Sequence, residues 1–432
     1  MLAIIVSESK KSRQESLFGR FFHFFVRNID YFYYFRKRKR TNAKEMAVKI
    51  LSVDDELDLE LLLTQYFRRK IRKGEYEFHF AHNGLEALTM LLKEKDFDII
   101  LSDINMPEMD GLSLLTKINE MQNPALKCIM VSAYGDMGNI RQAMNNGAFD
   151  FATKPIDLDD LSLTIEKAIE QISYIKAMQQ EHIQLESIKG DLAVAREIQQ
   201  AILPRIIPPF PENAHQIDIA ASMEAAKDVG GDFYDFFRID EDHIGFVIAD
   251  VSGKGVPAAI FMAVCRTLIR ATGIKGGAPS ECITYTNDLL VEESVSDMFV
   301  TVFYGIYHLK TGEVVYTNAG HNPPYVVKAD GSIKNLPLSK NLVTGIVEGY
   351  QYTEETLQLE HGDTLLLYTD GVTEAIDTES KEYGEERLKN LLRQSAQASC
   401  QELIDMVKAD VKSFAGDEEQ SDDITLLAIK RL

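Results

Sequence analysis

The chain has 432 residues, with 46 Lys+Arg against 67 Asp+Glu and a formal net charge of −21. At roughly 150 residues per domain that length predicts two or three domains, and 45% hydrophobic residues exclude a wholly disordered chain. So acidic a balance argues against nucleic acid or an anionic membrane as the main target, and it leaves room for carboxylates gathered around divalent metal.

The charge is unevenly spread. Residues 1–45 hold eleven Lys/Arg and four acids, together with ten of the 39 Phe and Tyr, all ten in Leu17–Phe35. The longest uncharged run in that aromatic segment, Phe21–Val26, is far short of the roughly 20 residues of a membrane span, and no signal-peptide core is present. Three readings stand together: a basic aromatic membrane-surface segment, a disordered extension, or a stretch upstream of a true start at Met46, the last preferred. Cys128, Cys265, Cys282 and Cys400 form no Cys-x-x-Cys pair, which argues against zinc and a disulfide framework and for a reducing, cytoplasmic compartment.

From residue 46 the elements alternate. Strands are predicted at Lys49–Val53, Tyr76–Ala81, Asp98–Ser102, Lys127–Ser132 and Phe149–Thr153, and helices at Leu59–Arg72, Gly84–Lys95, Leu112–Met121 and Asn139–Asn146. Apolar runs alternating with helices predict a doubly wound α/β domain, a five-stranded parallel sheet covered on both faces, over 46–170. Residues 157–203 contain no proline and one glycine. Leu158, Leu161, Ile165, Ala168, Ile172 and Ile175 step by 3 and 4, and the seam resumes at Leu185, Ile188, Leu192 and Ala195. The first part of that seam can pack on its own domain. The whole helix predicts a coiled-coil linker over 171–203 and a homodimer through 158–203. The prolines of 204–211 end it, and 204–432 reads as an α+β domain with strands at His243–Ala249, Phe299–His308, Glu313–Asn318, Pro324–Val327, Thr364–Tyr368 and Thr425–Lys430.

In the first domain Asp54 and Asp55 end strand one, Asp103 ends strand three, Ser132 ends strand four and Lys154 follows strand five. All five therefore fall on one sheet edge, where ligands of such sheets bind. Each aspartate alone could be a helix cap or turn residue. Three carboxylates together would repel unless a hard cation such as Mg²⁺ lay between them, and a carboxylate beside Mg²⁺ can attack a phosphoryl group.

The segment from about Lys49 to Glu170 resembles a response-regulator receiver domain, through Val53-Asp54-Asp55-Glu56, Ser102-Asp103 to Gly111, Val131-Ser132-Ala133 and Thr153-Lys154-Pro155. The resemblance implies that Asp103 accepts phosphate from a histidine kinase or phosphotransfer protein. It implies that Asp54, Asp55 and Asp103 with the Asn105 carbonyl bind Mg²⁺, and that Ser132 and Lys154 contact the phosphoryl group, with a cis Lys154–Pro155 bond. Phe151 falls at the aromatic switch position, where it lacks the hydroxyl of the more usual Tyr.

The second domain carries Val229-Gly230-Gly231-Asp232-Phe233-Tyr234-Asp235, Ala249-Asp250-Val251-Ser252-Gly253-Lys254-Gly255, Tyr368-Thr369-Asp370-Gly371 and Ser421-Asp422-Asp423-Ile424-Thr425. An isolated Asp-Gly is usually a turn. Four such carboxylates with almost no His or Cys nearby favour Mg²⁺ or Mn²⁺ over zinc, and two such ions can activate water for in-line attack on a phosphoester. Gly253-Lys254-Gly255 lacks the spacing of a phosphate loop.

Together with Ala195-Arg196 to Leu203-Pro204, Phe299 to Tyr304 and Asn318-Ala319-Gly320-His321-Asn322-Pro323-Pro324, these segments resemble the metal-dependent (PPM-type) serine/threonine protein phosphatases of the SpoIIE-type branch, over about Ile188 to Leu432. The resemblance implies an α-β-β-α sandwich and two Mg²⁺ or Mn²⁺ ions on Asp232, Asp250, the Val251 carbonyl, Asp370 and Asp422, with Asp423 standing one residue away from the last. His321 reads as part of a structural turn rather than a general acid.

The whole is then expected to be a cytoplasmic response regulator whose phosphorylation at Asp103 controls dephosphorylation of phosphoserine or phosphothreonine on a partner. The resemblance implies an anti-sigma-factor antagonist as that partner; the acidic balance and the short apolar runs lead to the expectation of no nucleic acid and no transmembrane segment. The alternative is a catalytically silent, phosphorylation-dependent sequestering protein.

Overall fold

The computed structural model describes residues 47–432 except 95, 134–135, 205–209 and 294–297, so the readings made of residues 1–45 and of a start at Met46 lie outside the described residues. The described chain divides between Ile188 and Lys189 into two compact units.

In the first unit the strands are β1 (Val48–Val53), β2 (Tyr76–Ala81), β3 (Ile99–Asp103), β4 (Lys127–Ala133) and β5 (Asp150–Lys154). They pair in parallel in the order β2-β1-β3-β4-β5. The apolar runs of β1, β3 and β4 are buried on both faces, as the interior of a parallel sheet requires. Helices α3 (Gly84–Lys93), α4 (Gly111–Glu120) and α5 (Met137–Asn145) cover one face through Ala87, Leu91, Leu114, Leu115 and Ala143. Helix α1 (Leu57–Tyr66), α2 (Arg68–Arg72) and the first turns of α6 (Leu158–Ile202) cover the other through Leu63, Phe67, Leu161, Ile165, Ala168 and Ile172.

One expectation changes in detail, and the own-domain packing foreseen for the first part of the heptad seam is present. The single helix predicted over 59–72 is two, because Phe67 leaves helical geometry (φ −86°, ψ 8°) to bury its ring against Tyr76 and Phe78. The first part of the heptad seam is spent on the receiver core: Leu161, Ile165, Ala168 and Ile172 are buried there, whereas Tyr174, Met178, Ile183, Leu185 and Ile188 are exposed.

The second unit is a sandwich of two five-stranded sheets. One runs β13 (Glu355–Gln358), β10 (Glu313–Ala319), β9 (Val300–His308), β8 (His243–Val251), β7 (Phe233–Arg238). The other runs β12 (Ile333–Asn335), β11 (Tyr325–Val327), β14 (Thr364–Tyr368), β15 (Ile424–Arg431), β6 (Ile217–Glu224). Phe246, Phe303 and Tyr304 of the first sheet share a core with Ile219, Leu365 and Leu427 of the second. Helices α7 (Val256–Gly273) and α8 (Pro279–Glu293) cover the first sheet with Met262, Cys265, Ile269 and Ile283. The short α9 (Asp370–Thr373) follows β14, and α10 (Glu385–Gln394) and α11 (Cys400–Ala415) cover the second sheet with Leu388, Leu403 and Val407. The expected α-β-β-α layering is therefore present.

Helix α7 is long and apolar enough to pass for a membrane span by length and composition. Its buried residues Ala258, Met262, Cys265 and Ile269 nevertheless recur at helical spacing and pack into the sandwich. Its Arg266 and Arg270 reach the fully buried Asp235 of β7 at 3.0 and 2.6 Å. That pair ties the helix following the Asp250 segment to the strand following Asp232. Removing one partner of a buried ion pair strands the other charge, at a cost of about 3–5 kcal/mol. Asp235→Ala should therefore lower the chemical denaturation midpoint of this unit, followed by circular dichroism; an unchanged midpoint would show that the pair is structurally idle.

Candidate functional site

The parallel register of the first unit sets its site. Val53 lies beside Ser102, Asp103 beside Val131 and Ser132 beside Thr153, so the residues ending these strands share one edge. Lys154 Nζ reaches Asp103 Oδ2 at 2.7 Å, Asp54 Oδ2 at 3.0 Å and Glu56 Oε1 at 3.0 Å. Asp54, Asp55 and Asp103 each offer an oxygen, all within 4.8 Å of one another. Asp54 and Asp103 are buried and Asp55 is exposed. Burial raises the Asp54 pKa above the usual carboxylate range, against the pull of the Glu56 amide and Lys154.

The Asn105 amide donates to Asp103 Oδ1 at 3.3 Å, and Ser132 Oγ is buried with no hydrogen-bond partner. The Lys154–Pro155 bond is cis, and Phe151 lies on the outer side of β5, 36% exposed. A pocket of oxygens with a single ammonium and an unpaired buried hydroxyl suits a small cation and a phosphoryl group together.

In the second unit Phe233 pairs with Ala249, which sets Asp232, just before β7, across from Asp250 near the end of β8. In the other sheet Tyr368 pairs with Leu426, so Asp370 and the Asp422–Asp423 pair meet at the matching ends of β14 and β15. Glycines allow this closeness. A Cβ on Gly230 would stand 2.2 Å from Asp423 Oδ2, and one on Gly371 would stand 2.1 Å from the Asp423 carbonyl.

The electrostatics are those of crowded carboxylates. Burial first, then the neighbouring Asp250 charge, pushes the Asp232 pKa well up. Burial, followed by the charges of Asp370 and Asp422, pushes Asp250 up to about 7. Burial and Asp422 raise Asp370. Asp232 Oδ2 is buried with no hydrogen-bond partner. Buried, unpaired and mutually repelling carboxylates fit a site for divalent cations. Among the described residues only the Asp54, Asp55 and Asp103 group brings three ligand atoms within 4.8 Å; the carboxylates of the second unit are spread more widely.

The two members of the Asp422–Asp423 pair do different work. Asp423 accepts from the amides of Ala226 (2.9 Å), Gly231 (2.6 Å) and Asp232 (3.3 Å), so its oxygens are spent on the backbone. Asp422 instead faces Lys254, with Nζ 2.8 Å from its Oδ2. Gln199, near the end of α6, holds the same loop: its side-chain amide donates to the Gly230 carbonyl at 2.6 Å and accepts from the Gly230 amide at 3.1 Å. Arg196 donates to the Asp228 and Lys227 carbonyls. The sequence motifs contained Arg196, Gln199, Lys254 and Asp423, but residue type alone gave them no role; the burial of Gln199 is visible only in the structure.

His321 is buried, its backbone amide donating to Asn318 Oδ1 (2.8 Å) and its Nδ1 lying 2.9 Å from Thr301 Oγ1. That is the turn the sequence predicted.

Comparison with known proteins agrees with this geometry. A family model described as "Stage II sporulation protein E (SpoIIE)" matches residues 240–432, and the "Response regulator receiver domain" matches residues 50–166. The "Phosphoserine phosphatase RsbU" of Bacillus subtilis is 31% identical over 265 residues, covering 61% of this chain and 75% of that protein. "Protein IcfG" of Synechocystis sp. is also 31% identical, over 56% of this chain but 41% of its own length. The solved PP2C domain of SiaA from Pseudomonas aeruginosa shares the fold, with a TM-score of 0.51 and 21% identity over 58% of this chain and 98% of that one.

The chain thus belongs to the SpoIIE family of PP2C-type serine/threonine protein phosphatases, its phosphatase domain preceded by a response-regulator receiver domain. Asp232 lies ahead of the segment matched to the SpoIIE model, so its place in the site rests on the strand pairing.

Burial lowers the His321 pKa to about 4, leaving the ring neutral near pH 7 and unfit to donate a proton as imidazolium. A depressed histidine contributes stability that is fully present above its unfolded pKa of about 6.5 and is lost as pH falls toward the folded value. Denaturation midpoints measured from pH 7 to 4 should therefore fall less steeply in His321→Gln than in the wild type; equal slopes would contradict a buried neutral imidazole.

Proposed function

We propose that this protein is a cytoplasmic response regulator whose phosphorylation at Asp103 controls the removal of phosphate from phosphoserine or phosphothreonine on a protein partner. The observation that carries the reading is the meeting of Asp232, Asp250, Asp370 and Asp422 at the matching ends of two sheets, in a chain that covers three-quarters of a phosphoserine phosphatase.

In this reading Asp250, Asp232, Asp370, Asp422 and the Val251 carbonyl would hold two Mg²⁺ or Mn²⁺ ions, with Asp250 central among them. Bound divalent ions supply Lewis acidity and a water acidic enough to attack phosphorus at neutral pH. The protein's own part is to hold the carboxylates in place through Asp423, Gln199 and the glycines beside them. In the receiver, Asp103 is the acceptor. Asp54, Asp55 and the Asn105 carbonyl share Mg²⁺ with it, Lys154 and the unpaired Ser132 hydroxyl take the phosphoryl oxygens, and Phe151 reports the change by packing. The phosphoryl donor is a histidine kinase or phosphotransfer protein.

Helix α6 pairs with a second copy through its exposed apolar positions, and its end carries the receiver's bias to the loop before Asp232 through Gln199 and Arg196. The protein partner is an anti-sigma-factor antagonist, which makes the output partner switching at transcription.

Phosphopeptide hydrolysis by the full chain with Mn²⁺ checks this reading. Beryllofluoride, mimicking the phosphoryl group at Asp103, should raise turnover, and Asp250→Asn should cut it by at least a hundredfold with the receiver still able to bind beryllofluoride. Equal turnover in the wild type and Asp250→Asn would favour a silent sequestering protein instead. A sizing column run in parallel should show a dimer in both states.

A further inference from the structure

Lys254 is, among the described residues, the one basic side chain ion-paired with any of the four phosphatase aspartates. Its Nζ lies 2.8 Å from Asp422 Oδ2 and donates to the Ser421 carbonyl at 2.7 Å. The neighbouring charges of Asp423 and Asp370 act on it too.

A phosphomonoester brought to this site adds a dianion to four carboxylates. Divalent ions offset the carboxylates, and the non-bridging oxygens still call for charge-assisted donors, which carboxylates cannot provide. Lys254 is the donor within reach. Its position is adjustable: Gly253 (φ +89°) and Gly255 (φ +77°) flank it in left-handed backbone with no atom within 4 Å of where a Cβ would sit, and its side chain is 44% exposed. An ammonium at 2.8 Å from an Asp422 oxygen also competes with any metal ion for that carboxylate.

We propose that Lys254 is the phosphate-binding cation of the phosphatase centre, and that its ammonium would turn from Asp422 toward the non-bridging oxygens of the substrate once that carboxylate held a metal ion. The inference rests on the reading of these aspartates as metal ligands and adds a residue which that reading leaves without a part.

The test uses the full chain as wild type, Lys254→Ala and Lys254→Arg. In calorimetric titration with Mn²⁺ alone, Lys254→Ala should bind about two- to fivefold more tightly, the scale of a partly exposed ion pair removed. With Mn²⁺ saturating, inorganic phosphate should bind Lys254→Ala about tenfold more weakly, the scale of one charge-assisted hydrogen bond, and Lys254→Arg should recover part of that loss. For a phosphoserine peptide, KM should rise in Lys254→Ala more than kcat falls. Unchanged or weaker Mn²⁺ binding in Lys254→Ala, or unchanged phosphate binding, would overturn the proposal. If the wild type hydrolyses no phosphopeptide, the phosphatase reading fails, and the two binding titrations still decide Lys254.

Discussion

Carboxylates of like charge have to be brought together against their own repulsion, and the contact that does so here is Asp423 on the backbone amides of Ala226, Gly231 and Asp232. It joins the start of β15 in one sheet to the loop entering β7 in the other. Asp232 is thereby fixed across from Asp250, and Asp422 is left to face the site. Three backbone amides converging on one carboxylate hold the loop in place. Gly230 and Gly371 have to be glycines because Asp423 presses against both.

The same logic, at smaller scale, governs the receiver. There the repulsion between Asp54 and Asp103 is relieved by Lys154, whose ammonium touches both. In both units burial raises the pKa of carboxylates at the ends of strands, and in both one lysine stands among them. The sites differ in what the acids are for: in the receiver one of them is read as the acceptor of a phosphoryl group, and in the phosphatase all four are read as ligands.

Much of this was legible in the sequence. Buried parallel strands read as continuous apolar runs because both faces are covered, which is why β1, β3 and β4 were readable with their end residues. The Asp-Gly and Gly-Gly-Asp pairs marked the second site because close approach permits no side chain there. What stayed hidden was partnership at long range. Nothing in Ser421-Asp422-Asp423 says which carboxylate turns toward the backbone of residues 226–232, since that contact spans nearly two hundred positions. The break at Phe67 was hidden because its ring packs on Tyr76 and Phe78 of the following strand, a contact that residue type alone does not show. The heptad seam of α6 was legible, including the packing of its first part, Leu161 to Ile172, on its own domain.

The measurement that bears most directly on this account is diffraction from Mn²⁺-soaked crystals of the full chain at the manganese edge. The account predicts anomalous density among the carboxylates of Asp232, Asp250, Asp370 and Asp422, with Asp423 still on its three amides. Density on Asp423, or none between the two sheets with the receiver site filled, would contradict it.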